Sequence, residues 1–408
     1  MGRVDYSEVL GGWQGYQLGL VQRRRVAGEP DAVWIELVPV QGAAMRCSGC
    51  GRESSSVHDV DERAIRDLPI LDMQTVLVVH RRRVACATCG PKLEQVEWLA
   101  PYSRVTKRLA ECVARLCEVM PIRHVASHFG LGWETVKTIH KRWLAQRVAA
   151  RPMVYPEAII IDEFALHKGR QYATVIMDPQ EKRVLWVGEG RSREAIRPFF
   201  ESLGAQGRAR LKAVGTDMNG AYVAEIQAQC PHAAIVYDLF HVIQKYNKEV
   251  IRRVRVDEMR RWAKKHPTRE LLRRGNWLVQ RTHKNIASRK ERQTLKAILD
   301  ANKALFKVYV LGQDLRQLWS YRRKSAAQRF WRAWYRRAMY SRIPSLKNFA
   351  RRIAQYIDGI LAHTTWPLHT SLLEGVNNKI KVIKRMAYGF RDHQYFFLRI
   401  LNAFPGIP

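Results

Sequence analysis

Ala158-Ile159-Ile160-Ile161-Asp162-Glu163-Phe164 is an apolar run that ends in a carboxylate. Its β-branched residues and short length read as a buried strand. Working outward, strand-like runs recur at Tyr172 to Met177 and Arg183 to Val187, with an amphipathic helix around Ile196 to Leu203. Further runs follow at Leu211 to Gly215 and Ala234 to Tyr237. Three consecutive strands with hairpin-like turns, then helix, strand, helix and strand, predict a mixed sheet with helices packed on it. Asp217 follows Val214, Gly215 and Thr216 as Asp162 follows its isoleucines, so both carboxylates sit at strand ends. On neighbouring strands they would lie within a few Å and repel unless divalent cations sat between them. Acidic residues also commonly terminate strands, and neither position alone establishes catalysis.

N-terminal to this sheet, residues up to about Ala100 carry short β-like runs such as Trp34 to Val40 and Thr75 to Val84. Cys47-x-x-Cys50 and Cys86-x-x-Cys89 each run into a glycine, a spacing that lets both thiolates of a knuckle reach one tetrahedral zinc. The strand pair Arg63 to Ile70 and Thr75 to Val84 would loop out between the knuckles. The alternatives are a redox motif, which needs only one such pair, or chance. From Arg104 to about Ala150 the periodicity is helical, with Leu109, Val113, Leu116 and Cys117 on one face. Ile122 to Ile139 has the layout of a helix-turn-helix whose second helix starts near Trp133 or Glu134, presenting Lys137, His140 and Lys141 outwards. An ordinary helical hairpin has the same spacing.

After Phe240 the chain reads as wholly helical to about Ala362, rich in Arg and Lys, with Trp262, Trp277, Trp319, Trp331 and Trp334. Most of these tryptophans suit a bundle core, whereas Arg322, Arg323, Arg336 and Arg337 suit a face that touches DNA. Thr370 to Arg385 then reads as a helix with Leu373, Val376, Ile380 and Ile383 on one face. Glu374, Asn377, Asn378, Lys381 and Arg385 lie on another, with Lys384 beside them. That stripe fits phosphate contact; Ser371-x-x-Glu374 is equally a capping box.

The 408 residues hold 70 Lys plus Arg against 37 Asp plus Glu, a formal net charge of +33. Such an excess calls for a polyanionic partner, first of all nucleic acid. With no run of roughly 18 apolar residues, no amphipathic anchor and no secretory signal in Met1 to Leu20, a membrane partner is excluded and a cytoplasmic, nucleoid-associated protein is expected. Seven cysteines, four of them in the two pairs, suit a reducing compartment.

Ile161-Asp162-Glu163-Phe164, Asp217-Met218-Asn219-Gly220-Ala221-Tyr222, Asp238-Leu239-Phe240-His241 and Glu374-Gly375-Val376-Asn377-Asn378-Lys379-Ile380-Lys381 together resemble the ISL-three family of insertion-sequence transposases, from about Arg46 to His393. The resemblance implies a multidomain α+β chain. A zinc ribbon (1–100) and a helix-turn-helix (101–150) would precede an RNase H-like α/β catalytic domain (151–240 and 363–408) interrupted by an all-α insertion (241–362). It implies a catalytic triad of Asp162, Asp217 and Glu374 holding Mg²⁺ or Mn²⁺, with Asp162 bridging two ions. Asp238 and His241 would organise the site, although Asp238 could simply cap the next helix with His241 packed in its first turn. Cys47, Cys50, Cys86 and Cys89 would hold structural Zn²⁺. Lys137, His140, Lys141, Asn378, Lys381, Lys384 and Arg385 would contact DNA. The implied partners are double-stranded DNA, as terminal inverted repeats and target, and further copies of the chain in a homodimer or higher oligomer. The remaining alternatives are a sequence-specific regulator, which needs no acidic trio, and a structure-selective nuclease, which would not join ends.

Overall fold

The computed structural model describes residues 12–407 apart from Glu29, Lys168, Arg170, His369 and Thr370. It divides into two compact units. One runs through Arg151 and includes Lys384–Arg391; the other comprises Pro152–Ile383 and the segment from Asp392.

In the first unit, β1 (Tyr16–Arg24), β2 (Ala32–Pro39), β3 (Met45–Arg46), β4 (Glu53–Ser54), β5 (Val57–Ile70), β6 (Met73–Cys86) and β7 (Gly90–Leu93) precede three helices. These are α1 (Lys107–Leu116), α2 (Ile122–Phe129) and α3 (Trp133–Ala149). The main sheet has the order β1-β2-β6-β5, with β7 on β6 and β3 paired to β4. Val33, Ile35 and Leu37 alternate inward on β2, as a strand with one buried face requires, and meet Ile65, Leu77 and Trp98. β5 and β6 form the hairpin expected between the knuckles, although both strands are longer than their apolar runs. The buried Asp67 on β5 pins the helices to the sheet. It accepts hydrogen bonds from Arg108 Nε (2.7 Å), Thr106 Oγ1 (2.6 Å) and Trp13 Nε1 (3.1 Å). Burial alone would raise this carboxyl, but Arg108 and Thr106 hold it below its ordinary value.

In the second unit, β8 (Ala158–Ala165), β9 (Tyr172–Asp178) and β10 (Arg183–Glu189) lead into α4 (Arg193–Ser202), α5 (Gly204–Arg210) and β11 (Ala213–Thr216). Then come α6 (Gly220–Gln229), β12 (Ala234–Tyr237) and α7 (Leu239–Tyr246). The sheet order is β10-β9-β8-β11-β12, antiparallel on the β9 and β10 side and parallel across β8, β11 and β12. It is the expected mixed sheet. Ile159, Ile161, Val214, Phe200 and Tyr222 fill one face; Ala158, Ala213 and Val236 meet Trp366 and Leu368 on the other. With both faces covered, the strands read as apolar runs rather than alternating patterns.

A π-helical turn at Asn247–Ile251 continues α7 into a helical assembly. It is made of α8 (Arg252–Arg260), α9 (Pro267–Arg274), α10 (Arg289–Ala301), α11 (Lys303–Gln317), α12 (Lys324–Met339), α13 (Pro344–Ala354) and α14 (Ile357–Leu361). Trp334, 1% exposed, donates from Nε1 to the Leu311 carbonyl at 2.8 Å, and Tyr246 Oη reaches the Val308 carbonyl at 2.6 Å. α15 (Ser371–Met386) and α16 (His393–Ala403) complete the chain, α16 packing on β10. Among the described residues no helix is long and apolar enough to cross a membrane.

Candidate active site

β8 carries Asp162, and Asp217 follows directly from β11. These strands run parallel with Ala213 opposite Ala158 and Gly215 opposite Ile160. The same register carried two residues further sets Asp217 beside Asp162, at a strand spacing of about 5 Å. Asp162 Oδ1 accepts the Glu163 N–H at 2.8 Å, and Oδ2 accepts from Asn377 Nδ2 at 2.8 Å. Burial pushes the Asp162 carboxyl above its ordinary value. The Glu163 N–H, the His241 charge and the Asn377 amide pull against that rise, and the Asp217 charge adds to it.

The residues after Asp217 form a turn that the sequence builds locally. Asp217 Oδ1 accepts the Asn219 N–H at 3.1 Å, and Asn219 caps α6 by accepting the Ala221 N–H at 3.0 Å. One strand over, Thr216 pairs with Tyr237, so the next residue, Asp238, flanks Asp217. Asp238 is 7% exposed and caps α7 through the Phe240 N–H at 2.9 Å. His241 is half-buried in the first turn of α7, near enough to act on the Asp162 carboxyl.

Leu373, Val376, Ile380 and Ile383 bury one face of α15, and Glu374 is exposed one turn before Asn377. Asn378 and Lys381 are also exposed, with Lys381 Nζ 3.3 Å from Asn378 Oδ1. Thr370 and the Ser371 side chain, and with them the anticipated capping box, lie outside the described residues. Asp162, Asp217 and Glu374 do not close into a tight ligand cluster; among the described residues only the four cysteines do so. The oxygens on offer nevertheless suit a hard divalent cation. Besides the carboxylates, the Asn377 side chain that reaches Asp162 has its Oδ1 buried with no hydrogen-bond partner.

In the first unit, Cys47, Cys50, Cys86 and Cys89 bring their four sulfurs within 4.8 Å of one another, with Cys50 and Cys86 Sγ 3.6 Å apart. Tetrahedral Zn–S bonds of about 2.3 Å demand sulfur separations of roughly 3.8 Å, so the set fits structural zinc. Backbone N–H groups of Cys89 and Thr88 draw the Cys86 thiol down to about 6.

Gly130 closes α2 in the left-handed conformation (φ 58°), and a Cβ there would strike the Gln74 amide. Arg66 on β5 donates to the Phe129 carbonyl at 2.9 Å, fixing that turn on the sheet. α3 starts at Trp133, as the spacing predicts, but His140 does not face outwards. It is 0% exposed, on the buried face with Val136 and Leu144, and its Nε2 meets Glu118 Oε1 at 2.8 Å. The i, i+4, i+8 spacing of those three residues was the available signal. Lys137 and Lys141 flank that face half-buried, and the exposed positions of α3 include Glu134, Thr135, Thr138 and Arg142.

In the helical assembly Trp331 and Trp334 are core, whereas Trp277 is 63% exposed with the Arg281 guanidinium 5.1 Å from its ring centroid. Arg322, Arg323, Arg336 and Arg337 are exposed, Arg337 paired with Asp314 at 2.6 Å. A cavity of about 920 Å³ between α8 and α13, lined by Arg253, Arg342, Arg351 and Glu249 among others, holds none of the strand-end acids.

Comparison with known proteins adds three family matches. Residues 159–400 match a family described as a transposase, and residues 94–144 match the helix-turn-helix domain of transposase family ISL3. Residues 43–89 match the zinc-finger of the IS204/IS1001/IS1096/IS1165 transposases. Over 400 residues, 98% of each chain, the sequence is 46% identical to the transposase for insertion sequence element IS1001 of Bordetella parapertussis. It is 27% identical over 391 residues to the transposase for IS1557 of Mycobacterium tuberculosis, covering 90% of this chain and 87% of that one.

Proposed function

We propose how the work is divided in this chain, which belongs to transposase family ISL3 and is a DNA-binding transposase. It binds the terminal inverted repeats of its own insertion sequence and catalyses metal-dependent cleavage and strand transfer. The carrying observation is the parallel register of β8 and β11, which sets Asp217 beside Asp162.

Asp162, Asp217 and Glu374 would hold the divalent cations, Mg²⁺ or Mn²⁺. Bound there, two such ions supply activation of the attacking hydroxyl and stabilisation of the leaving oxygen in an in-line displacement. The protein's part is to hold its carboxylates fixed and ready. The Glu163 N–H and Asn377 amide orient Asp162, the turn at Asn219 orients Asp217, and α15 delivers Glu374. Asp238 and His241 organise the neighbouring strand end, Asp238 by capping α7 and His241 by its place near Asp162. Water first frees a 3′-hydroxyl at the element's end, and that hydroxyl then attacks target DNA.

Residues 1–100, with structural zinc on the four cysteines, and 101–150 recognise the ends. Thr135, Thr138 and Arg142 face the bases, and Lys137 and Lys141 lie toward phosphates. Residues 151–240 and 363–408 form the catalytic domain, where Asn378, Lys381, Lys384 and Arg385 on α15 track the backbone of the bound strand. The basic insertion, 241–362, contacts DNA through Arg322, Arg323, Arg336 and Arg337. The active complex holds two or more copies on paired ends in the bacterial cytoplasm, at the nucleoid.

Purified protein is incubated with labelled DNA carrying the element's own end, with Mg²⁺ or Mn²⁺, beside Asp217→Ala. Metal-dependent cleavage and joined products from the wild type alone are expected. Cleavage without joining would instead favour a nuclease, and specific binding without cleavage a regulator.

A further inference from the structure

We infer that Asn377 is a positioning residue for the Asp162 carboxylate, and through it for the cation site; this rests on the reading of Asp162 given above. Asn377 stands one turn beyond Glu374 on α15, and the helix is seated by the buried Leu373, Val376 and Ile380. From that seat its side chain crosses to β8 and donates to Asp162 Oδ2 at 2.8 Å. The direction follows from chemistry. An ionised carboxylate only accepts, so the NH₂ end of the amide faces Asp162 and the carbonyl end faces away.

The hydrogen-bond count at Asp162 gives this contact its meaning. Oδ1 takes the Glu163 N–H and Oδ2 takes Asn377, one donor for each oxygen. A carboxylate has about four lone-pair sites, so one remains on each oxygen that a bound cation would use. Donors that satisfy the other lone pairs fix the rotation of a ligating carboxylate.

The far end of the amide argues against a purely structural clamp. Asn377 Oδ1 is buried with no hydrogen-bond partner. Buried orphan acceptors are destabilising. An amide serving only to dock α15 would be satisfied at both ends; this one is satisfied only at the end that meets Asp162. The same residue therefore couples the helix that bears Glu374 to the strand that bears Asp162.

The test is Mn²⁺ binding to the full-length protein without DNA, read by electron paramagnetic resonance of the free ion. Wild type, Asn377→Ala, Asn377→Leu and Asp162→Asn are compared, with melting temperature and end binding measured on each. Asn377→Leu keeps the branched side-chain shape while removing the donor, and serves should the alanine variant fail to fold. Loss of an outer-shell partner is expected to weaken Mn²⁺ binding about 10–100-fold in both Asn377 variants. DNA-end binding should be unchanged, and cleavage should recover as Mn²⁺ is raised. Mn²⁺ affinity within about twofold of wild type in both variants, whatever the melting temperature does, would overturn the inference and leave Asn377 a helix clamp. Should Asp162→Asn also bind Mn²⁺ normally, the acidic site itself is misassigned and the inference falls with it. A weakened Asp162→Asn beside unaffected Asn377 variants overturns the inference alone.

Discussion

His140 Nε2 lies 2.8 Å from Glu118 Oε1 inside the helix-turn-helix, on the face of α3 that Val136 and Leu144 also bury. With His140 turned inward, Thr135, Thr138 and Arg142 take the outer face. Replacing Arg142 with alanine is expected to weaken binding to the element's end by about 1–3 kcal/mol and to relax sequence preference at one base pair. Competition binding against scrambled DNA measures both. Equal loss on all sequences would reassign Arg142 to the phosphates. His140→Ala should instead lower the melting temperature, because it empties a fully buried position on α3 and removes the Glu118 contact.

Asp162 and Asp217 answer to a different readout. Asp162→Asn and Asp217→Asn should each lower cleavage by at least about a thousandfold, since the proposed role gives these carboxylates several kcal/mol of transition-state stabilisation through the ions they would hold. Gel-shift affinity for the end should stay within about twofold. Retained cleavage in either variant would remove that residue from the triad.

The four cysteines predict a stoichiometry. Purified protein should carry about one zinc per chain, and Cys86→Ser should carry almost none. Structural zinc contributes about 10–16 kcal/mol of binding energy in small peptides at neutral pH, so chelation should unfold the ribbon while sparing the second unit. Zinc content and a melting curve are the measurements. A zinc-free protein with an unchanged melt would show that the knuckles need no metal.

Glu225 supplies a pH test. It is 1% exposed on α6 and joins that helix to α4, accepting from Arg197 Nε at 2.9 Å and Arg193 Nε at 3.1 Å. The Arg197 hydrogen bond is the main reason its carboxyl falls from an ordinary 4.5 to about 2, against the opposing effect of burial. A group depressed on folding stabilises above its unfolded value, and that contribution is lost as pH falls through its folded value. Glu225→Gln should therefore cost about 1–3 kcal/mol at pH 7, and the gap to wild type should narrow from about pH 4.5 towards 2. Denaturant melts across that range would show it; a gap independent of pH would contradict the ion-pair account.

Much of this protein is written in local sequence, because strand and knuckle signals depend on near neighbours. Apolar runs ending at Asp162 and Asp217, a hairpin between Cys50 and Cys86, and the helix start at Trp133 all follow from spacing and side-chain shape. The buried stripe of Leu373, Val376 and Ile380 on α15 was equally legible, because a helical period needs no partner to be recognised. What the helices meet is another matter. Packing alone turned His140 toward Glu118, and only the folded chain brought Asn377 to Asp162 and the two arginines of α4 to Glu225. Such contacts join residues far apart in the chain, and no periodicity within one element records them. The sequence by itself determined the elements and their chemistry; the tertiary structure decided which polar groups meet, because strand register and helix phase are set by packing against distant partners.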